Sequence, residues 1–236
     1  MMLEVKNICY EVENGKEKIV ILNNISFSCG LKDNIVITGE NGSGKSTLLK
    51  ILMGILTPTS GKIIFNGKDI TNLSIDERAK LGLAYSFQTP VTFKGISVER
   101  LLKLAGGENQ SYCNVLSKLG MCAKDYLSRE VDKKLSGGEQ KRIDLASVLL
   151  RNAKLNLFDE PEAGIDIWSF DTLVDVFSNG KANIIVSHQR KLIEKADKIL
   201  LLKNGNVCAF DKTEKVLPLL SGEKICKKLR RENGSN

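Results

Sequence analysis

Residues Gly39–Thr47 read GENGSGKST, with the spacing G-x-x-x-x-G-K-[ST]. The apolar run Ile35–Val36–Ile37 stands before them, and Leu48, Leu49, Ile51 and Leu52 follow at helical spacing. Strand, glycine turn and helix in that order place the chain in the α/β class, where ligands sit at the C-terminal ends of strands. The chemistry requires this context. Glycines let backbone N–H groups turn inward on phosphate oxygens, and the helix N-terminus adds partial positive charge. Gly39, Asn41, Gly42, Ser43, Gly44 and Thr47 are the expected cradle, Lys45 the group that reaches the β/γ-phosphates, and Ser46 a ligand of Mg²⁺. A nucleoside triphosphate is the expected ligand.

A second motif narrows the class. Leu135–Arg142 reads LSGGEQKR, and the helical pattern Ile143, Leu145, Ala146, Leu149 and Leu150 follows. A hydroxyl and two unhindered amides at a helix start make another phosphate-binding surface. Here the sequence resembles the ATP-binding cassette (ABC) family, whose signature is LSGGQ followed by basic residues; Glu139–Gln140 stand where most members have Gln. The resemblance implies ATP as ligand, and Ser136, Gly137 and Gly138 as contacts to the γ-phosphate bound by the opposite subunit. It also implies an ABC ATPase nucleotide-binding domain: a mixed sheet core, an antiparallel β layer and an inserted helical lobe.

Leu155–Phe158 is a strand candidate ending in Asp159–Glu160–Pro161. Asp159 is expected to hold Mg²⁺ and Glu160 to polarise the water that attacks the γ-phosphate. Asn156 interrupts the apolar run, so this strand is expected to be buried over most but not all of its face. Three smaller matches complete the resemblance. Gln88, in Ser86–Phe87–Gln88, matches the glutamine that touches Mg²⁺ and the attacking water. His188, the chain's single histidine, follows the strand candidate Ile184–Ser187 and matches a γ-phosphate sensor. Asp166 matches the loop through which two cassettes touch.

The chain has 236 residues, of which 42% are hydrophobic, enough for a sizeable core. Met1–Tyr10 alternates with charge and is no secretory signal, and no run of 18 apolar residues spans a bilayer. If the protein powers transport, another chain supplies the membrane part. The six cysteines form no C-x-x-C pair, which fits a reducing cytoplasm and argues against a zinc or iron–sulfur site on this chain. The net charge of +7 is diffuse except at Glu223–Glu232, read as a solvated helix face before a frayed end at Asn233–Asn236. Neither nucleic-acid binding nor membrane insertion is expected.

Alternation in Leu3–Val12 and Ile19–Phe27 predicts the β layer, with Asn14–Gly15, Asn66–Gly67 and Asn204–Gly205 as hairpin turns. Strand signals vanish between Gln88 and Leu135. The reading is one cassette: 1–88 and 151–236 as nucleotide-binding core, 89–150 as helical lobe with an exposed loop at Gly106–Asn109. One phosphate loop and one signature per chain imply an ATP-dependent homodimer, paired head to tail.

Within the family, Phe87–Val91 with Gly95–Ser97, the run Asp159–Ile167 and Lys141–Asp144 resemble the SufC-type ATPases of SUF iron–sulfur cluster assembly. That resemblance implies a SufB/SufD-like scaffold protein as partner, docked near Gln88. The alternative is the ATPase subunit of an importer, with a membrane permease in the same groove; the segment after His188 looks like a generic cassette.

Overall fold

The computed structural model describes residues 1–15, 17–107, 112–165, 173–177 and 180–220. Asp166, the tail from Glu223 to Asn236, and Glu108–Asn109 of the expected loop lie outside the described residues.

Leu3–Asn14 (β1) and Glu17–Cys29 (β2) pair antiparallel, and Ser60–Phe65 (β4) and Lys68–Asp69 (β5) extend them into a four-stranded layer ordered β2-β1-β4-β5. The central sheet holds Asn34–Gly39 (β3), Leu83–Ser86 (β6), Leu155–Asp159 (β9), Ala182–Val186 (β10), Lys198–Lys203 (β11) and Asn206–Lys212 (β12). Its order is β12-β11-β3-β10-β9-β6; only the β11–β12 pair is antiparallel. The Asn66–Gly67 and Asn204–Gly205 links are two-residue turns with positive φ at both positions, the twist that antiparallel neighbours require.

The central strands read as unbroken apolar runs because both faces are covered. Ile35 and Ile37 of β3 join a core shared with the β layer and helix Lys45–Met53 (α1). Val36, between them, joins the opposite core under helix Gly137–Leu150 (α6). The far end of α1 is anchored from helix Ile75–Leu81 (α2). Arg78, 1% exposed, donates to the Ile51 and Leu52 carbonyls of the last turn of α1 and to Thr71 and Leu73. It thereby satisfies carbonyls that a helix end leaves open.

Two expectations need correction. The lobe is not purely helical, since Phe93–Ser97 (β7) pairs with Glu130–Val131 (β8) beside helices Val98–Gly106 (α3), Tyr112–Lys118 (α4) and Ala123–Tyr126 (α5). A largely exposed strand facing a two-residue partner leaves no period-2 apolar pattern to read. Nor is β9 partly exposed at Asn156, which is 2% exposed. Its Nδ2 donates to Asn183 Oδ1 at 3.0 Å, and Asn183 Nδ2 donates to Asn34 Oδ1 at 2.6 Å. Three asparagines in register across β9, β10 and β3 pair their amides inside the sheet.

Candidate active site

The loop from Gly39 to Gly44 joins β3 to α1. Gly39 has φ 142°, and a Cβ there would stand 1.9 Å from the Leu202 carbonyl, so only glycine lets the loop pass β11. Lys45 Nζ folds back on the loop, donating to the Gly39 and Glu40 carbonyls at 2.9 and 2.8 Å. Burial lowers its pKa, opposed by the nearby carboxylates of Glu160 and Asp159. Ser43 Oγ, within the loop, is buried and has no hydrogen-bond partner among the described residues, a polar atom left for a phosphate oxygen to satisfy. Ser46 Oγ donates to Asp159 Oδ1 at 2.8 Å. The hydroxyl and carboxylate expected to share Mg²⁺ therefore meet, and hard oxygen donors suit that ion. The residues present fit both groups.

Three strand ends converge beside this loop. Asp159 closes β9, Gln88 follows β6, and His188 follows β10. Gln88 Nε2 donates to Glu160 Oε2 at 3.0 Å. Glu160 sits at φ 44°, a left-handed conformation that a non-glycine residue adopts at a cost of about 1 kcal/mol or more, and its N–H donates to the Val186 carbonyl. Burial depresses the His188 pKa first, the Lys45 cation adds to that, and Glu160 opposes both.

The signature forms a capped helix start. Ser136 Oγ accepts from Glu139 N–H, and Glu139 Oε2 accepts from Ser136 N–H. Glu139 also accepts from Tyr126 Oη at 2.7 Å, the main reason its pKa falls to about 2. The glutamate that departs from the family pattern is thus the capping residue. Among the described residues no hydrogen bond joins Ser136, Gly137 or Gly138 to the Gly39–Thr47 loop of the same chain.

Sequence reasoning missed three supports. Tyr85 Oη donates to Asp159 Oδ2 at 3.0 Å from a buried position on β6. Glu162 Oε1 accepts from Ser187 Oγ at 2.6 Å, and Ser187 Oγ in turn accepts from the Gln189 N–H, tying down the loop on both sides of the histidine. Lys141, fully buried on α6, donates to the Phe87 and Asp159 carbonyls. Its one sequence signal was its place four residues before Leu145, on the core-facing stripe.

Residues 22–163 match the profile of the ABC transporter family. The chain belongs to that family. As an ABC cassette it is an ATPase and uses ATP with Mg²⁺. It is 37% identical over 224 residues to an uncharacterized ABC transporter ATP-binding protein of Methanocaldococcus jannaschii, an alignment covering 88% of this chain and 87% of the relative. It is 35% identical over 224 residues to the lipoprotein-releasing system ATP-binding protein LolD of Wigglesworthia glossinidia brevipalpis, covering 88% and 96%. Among solved structures, a dimeric ATP-binding cassette bound to ADP and Pi after hydrolysis superposes with TM-score 0.79 at 22% identity, covering 90% of this cassette and 99% of that one. That likeness speaks to fold alone. No helix among the described residues is long and apolar enough to cross a membrane.

Proposed function

We propose that this cassette is the ATP-hydrolysing subunit of a membrane transport complex, facing the cytoplasm and working as an ATP-dependent head-to-tail dimer. The observation that carries the site assignment is the junction of Ser46 with Asp159 and of Gln88 with Glu160 at one sheet edge. In this reading Gly39, Asn41, Gly42, Ser43, Gly44, Lys45 and Thr47 hold the phosphates, while Ser46, Gln88 and Asp159 would hold Mg²⁺. The ion supplies charge neutralisation on the phosphate oxygens. Glu160 orients and polarises water, and His188 senses the γ-phosphate. Ser136, Gly137 and Gly138 complete the partner's site, with Asp166 at the dimer contact.

The partner reading follows the relatives, which carry names of transporter ATP-binding proteins. They favour a permease over the SufB/SufD-like scaffold that residues 87–91 and 159–167 pointed to. A groove of about 230 Å³ beside Gln88, lined by Met53, Ile55, Ile75, Ala79, Phe87 and Arg151, suits a short amphipathic helix. Phe87 and Ile75 present apolar surface there, 38% and 47% exposed.

Affinity capture from separate cytosol and detergent-solubilised membrane fractions tests this. Recovery of a multi-spanning protein in detergent, lost with Ile75→Glu, is the expected result. Recovery of a β-rich soluble protein without detergent would overturn the permease reading in favour of the scaffold.

A further inference from the structure

Lys141 lies 0% exposed on α6, and no carboxylate among the described residues hydrogen-bonds to it directly. An ammonium taken out of water costs several kcal/mol unless its donors are satisfied, and an apolar side chain of similar length would fill the same volume without that cost. Nζ reaches two backbone carbonyls on two separate strands: Phe87 O at the end of β6, and Asp159 O at the end of β9, 3.1 Å away. One turn along α6, Asp144 accepts from the hydroxyl of Ser86, the residue before Phe87. The same helix therefore holds two successive residues at the end of β6, the Ser86 hydroxyl and the Phe87 carbonyl.

The two carbonyls share a property. A peptide unit is planar, so the plane containing Phe87 C=O also contains the nitrogen and Cα of Gln88. The plane containing Asp159 C=O likewise contains the nitrogen and Cα of Glu160. A cation bonded to both oxygens fixes the planes from which Gln88 and Glu160 leave the sheet. The Glu160 plane is fixed from the other side too, by its N–H bond to the Val186 carbonyl at 3.0 Å.

We propose that Lys141 is a positioning residue for ATP hydrolysis: by bridging the Phe87 and Asp159 carbonyls it sets the relative placement of Gln88 and Glu160. This rests on the reading of Glu160 as the water-polarising group. Lys141 touches neither nucleotide nor water in this account. Because its helix begins at Ser136, a displacement of the signature is carried one turn to the backbones of both residues.

Steady-state ATPase assays on the full chain, with fluorescent-ATP binding and thermal melts, test the assignment. Lys141→Met should fold, bind ATP within about threefold of wild type, and lose ~10- to 100-fold in kcat with KM little changed, the scale set by sub-ångström misplacement. Lys141→Gln, which keeps a donor but spans only one carbonyl, should show the same split at a loss of ~3- to 10-fold. It also serves where the methionine variant fails to fold. Folded variants with kcat within twofold of wild type, or a loss lying wholly in KM, would overturn the inference. Glu160→Gln run alongside separates the two claims. Turnover surviving in it would sink the reading of the site; turnover lost in it but kept in the Lys141 variants would sink only this inference.

Discussion

Gln88 reaches across from β6 to donate its amide to Glu160 at the end of β9, Nε2 to Oε2 at 3.0 Å. The residue bordering the partner groove and the carboxylate proposed to polarise water are thus directly bonded. In the proposed assembly, a partner that moves Phe87–Gln88 from the groove side would change the surroundings of that carboxylate and so have a mechanical hold on hydrolysis.

Glu160→Gln should keep ATP binding while turnover falls ~10²- to 10⁴-fold, since the amide preserves shape but cannot accept a proton. Native mass measurements in ATP and Mg²⁺ should find this variant dimeric. A variant that hydrolyses ATP within twofold of wild type would remove Glu160 from its assigned role.

Lys45→Ala should weaken ATP binding by about 30-fold or more, ~2 kcal/mol, because the cation proposed to reach the phosphates is lost. Ser136→Arg should bind ATP normally yet stay monomeric. Mixing the two should restore at most one composite site. Analytical ultracentrifugation showing Ser136→Arg dimers with ATP would contradict the head-to-tail arrangement.

His188 should titrate below the ordinary histidine value of 6.5 in the nucleotide-free protein, because burial and the Lys45 cation disfavour its charged form. As the only histidine, it gives a single imidazole signal to follow by NMR. The sign for stability follows from linkage: the folded chain binds the proton less well, so stability contributed by this group is present above 6.5 and lost as pH falls below it. A midpoint above 6.5 would contradict the described surroundings.

Cys29 should resist thiol reagents in the folded protein, its pKa pushed up to about 12 by burial and then by Asp33. Cys113 and Cys122 are exposed and should label readily at pH 7.5. Peptide mass mapping after a short maleimide pulse reads this; labelling of Cys29 at the rate of Cys113 would show an open β2 end.

Arg78→Ala should destabilise the fold by about 3–5 kcal/mol, on the order of 10 °C in Tm, by removing a buried donor that four carbonyls share. Arg78→Lys should recover only part, since one ammonium cannot span that fork. A melt within 2 °C of wild type would show that water replaces the guanidinium.

The cassette was legible in the sequence wherever backbone conformation and chemistry coincide. Gly39–Thr47, the Asp159–Glu160 pair and the Asn66–Gly67 and Asn204–Gly205 links each need one residue type at one place and stand at strand ends or turns, whereas Asn14 closes β1 opposite Glu17 and is not itself a turn residue. The rest was hidden for physical reasons. Lys141 reads as one more basic residue after the signature, because bonds to carbonyls of distant strands leave no local pattern. Tyr85 reads as a strand aromatic, its hydroxyl partner 74 residues away. Asn156 reads as a break in an apolar strand until Asn183 and Asn34 are placed beside it. The partner was least legible of all, since some fifteen residues of subfamily likeness pointed one way and the relatives another.

Those three asparagines act as a gauge block for the far edge of the sheet. They pin β9, β10 and β3 at one level, and three to five residues later the same strands release Asp159, His188 and Gly39. A strand advances about 3.3 Å per residue, so a slip of one position would carry a reacting group further than a hydrogen bond is long and turn it to the opposite face. An amide strip some 10–17 Å below the chemistry, touching none of it, therefore holds the tolerance to which the three strand ends are aligned.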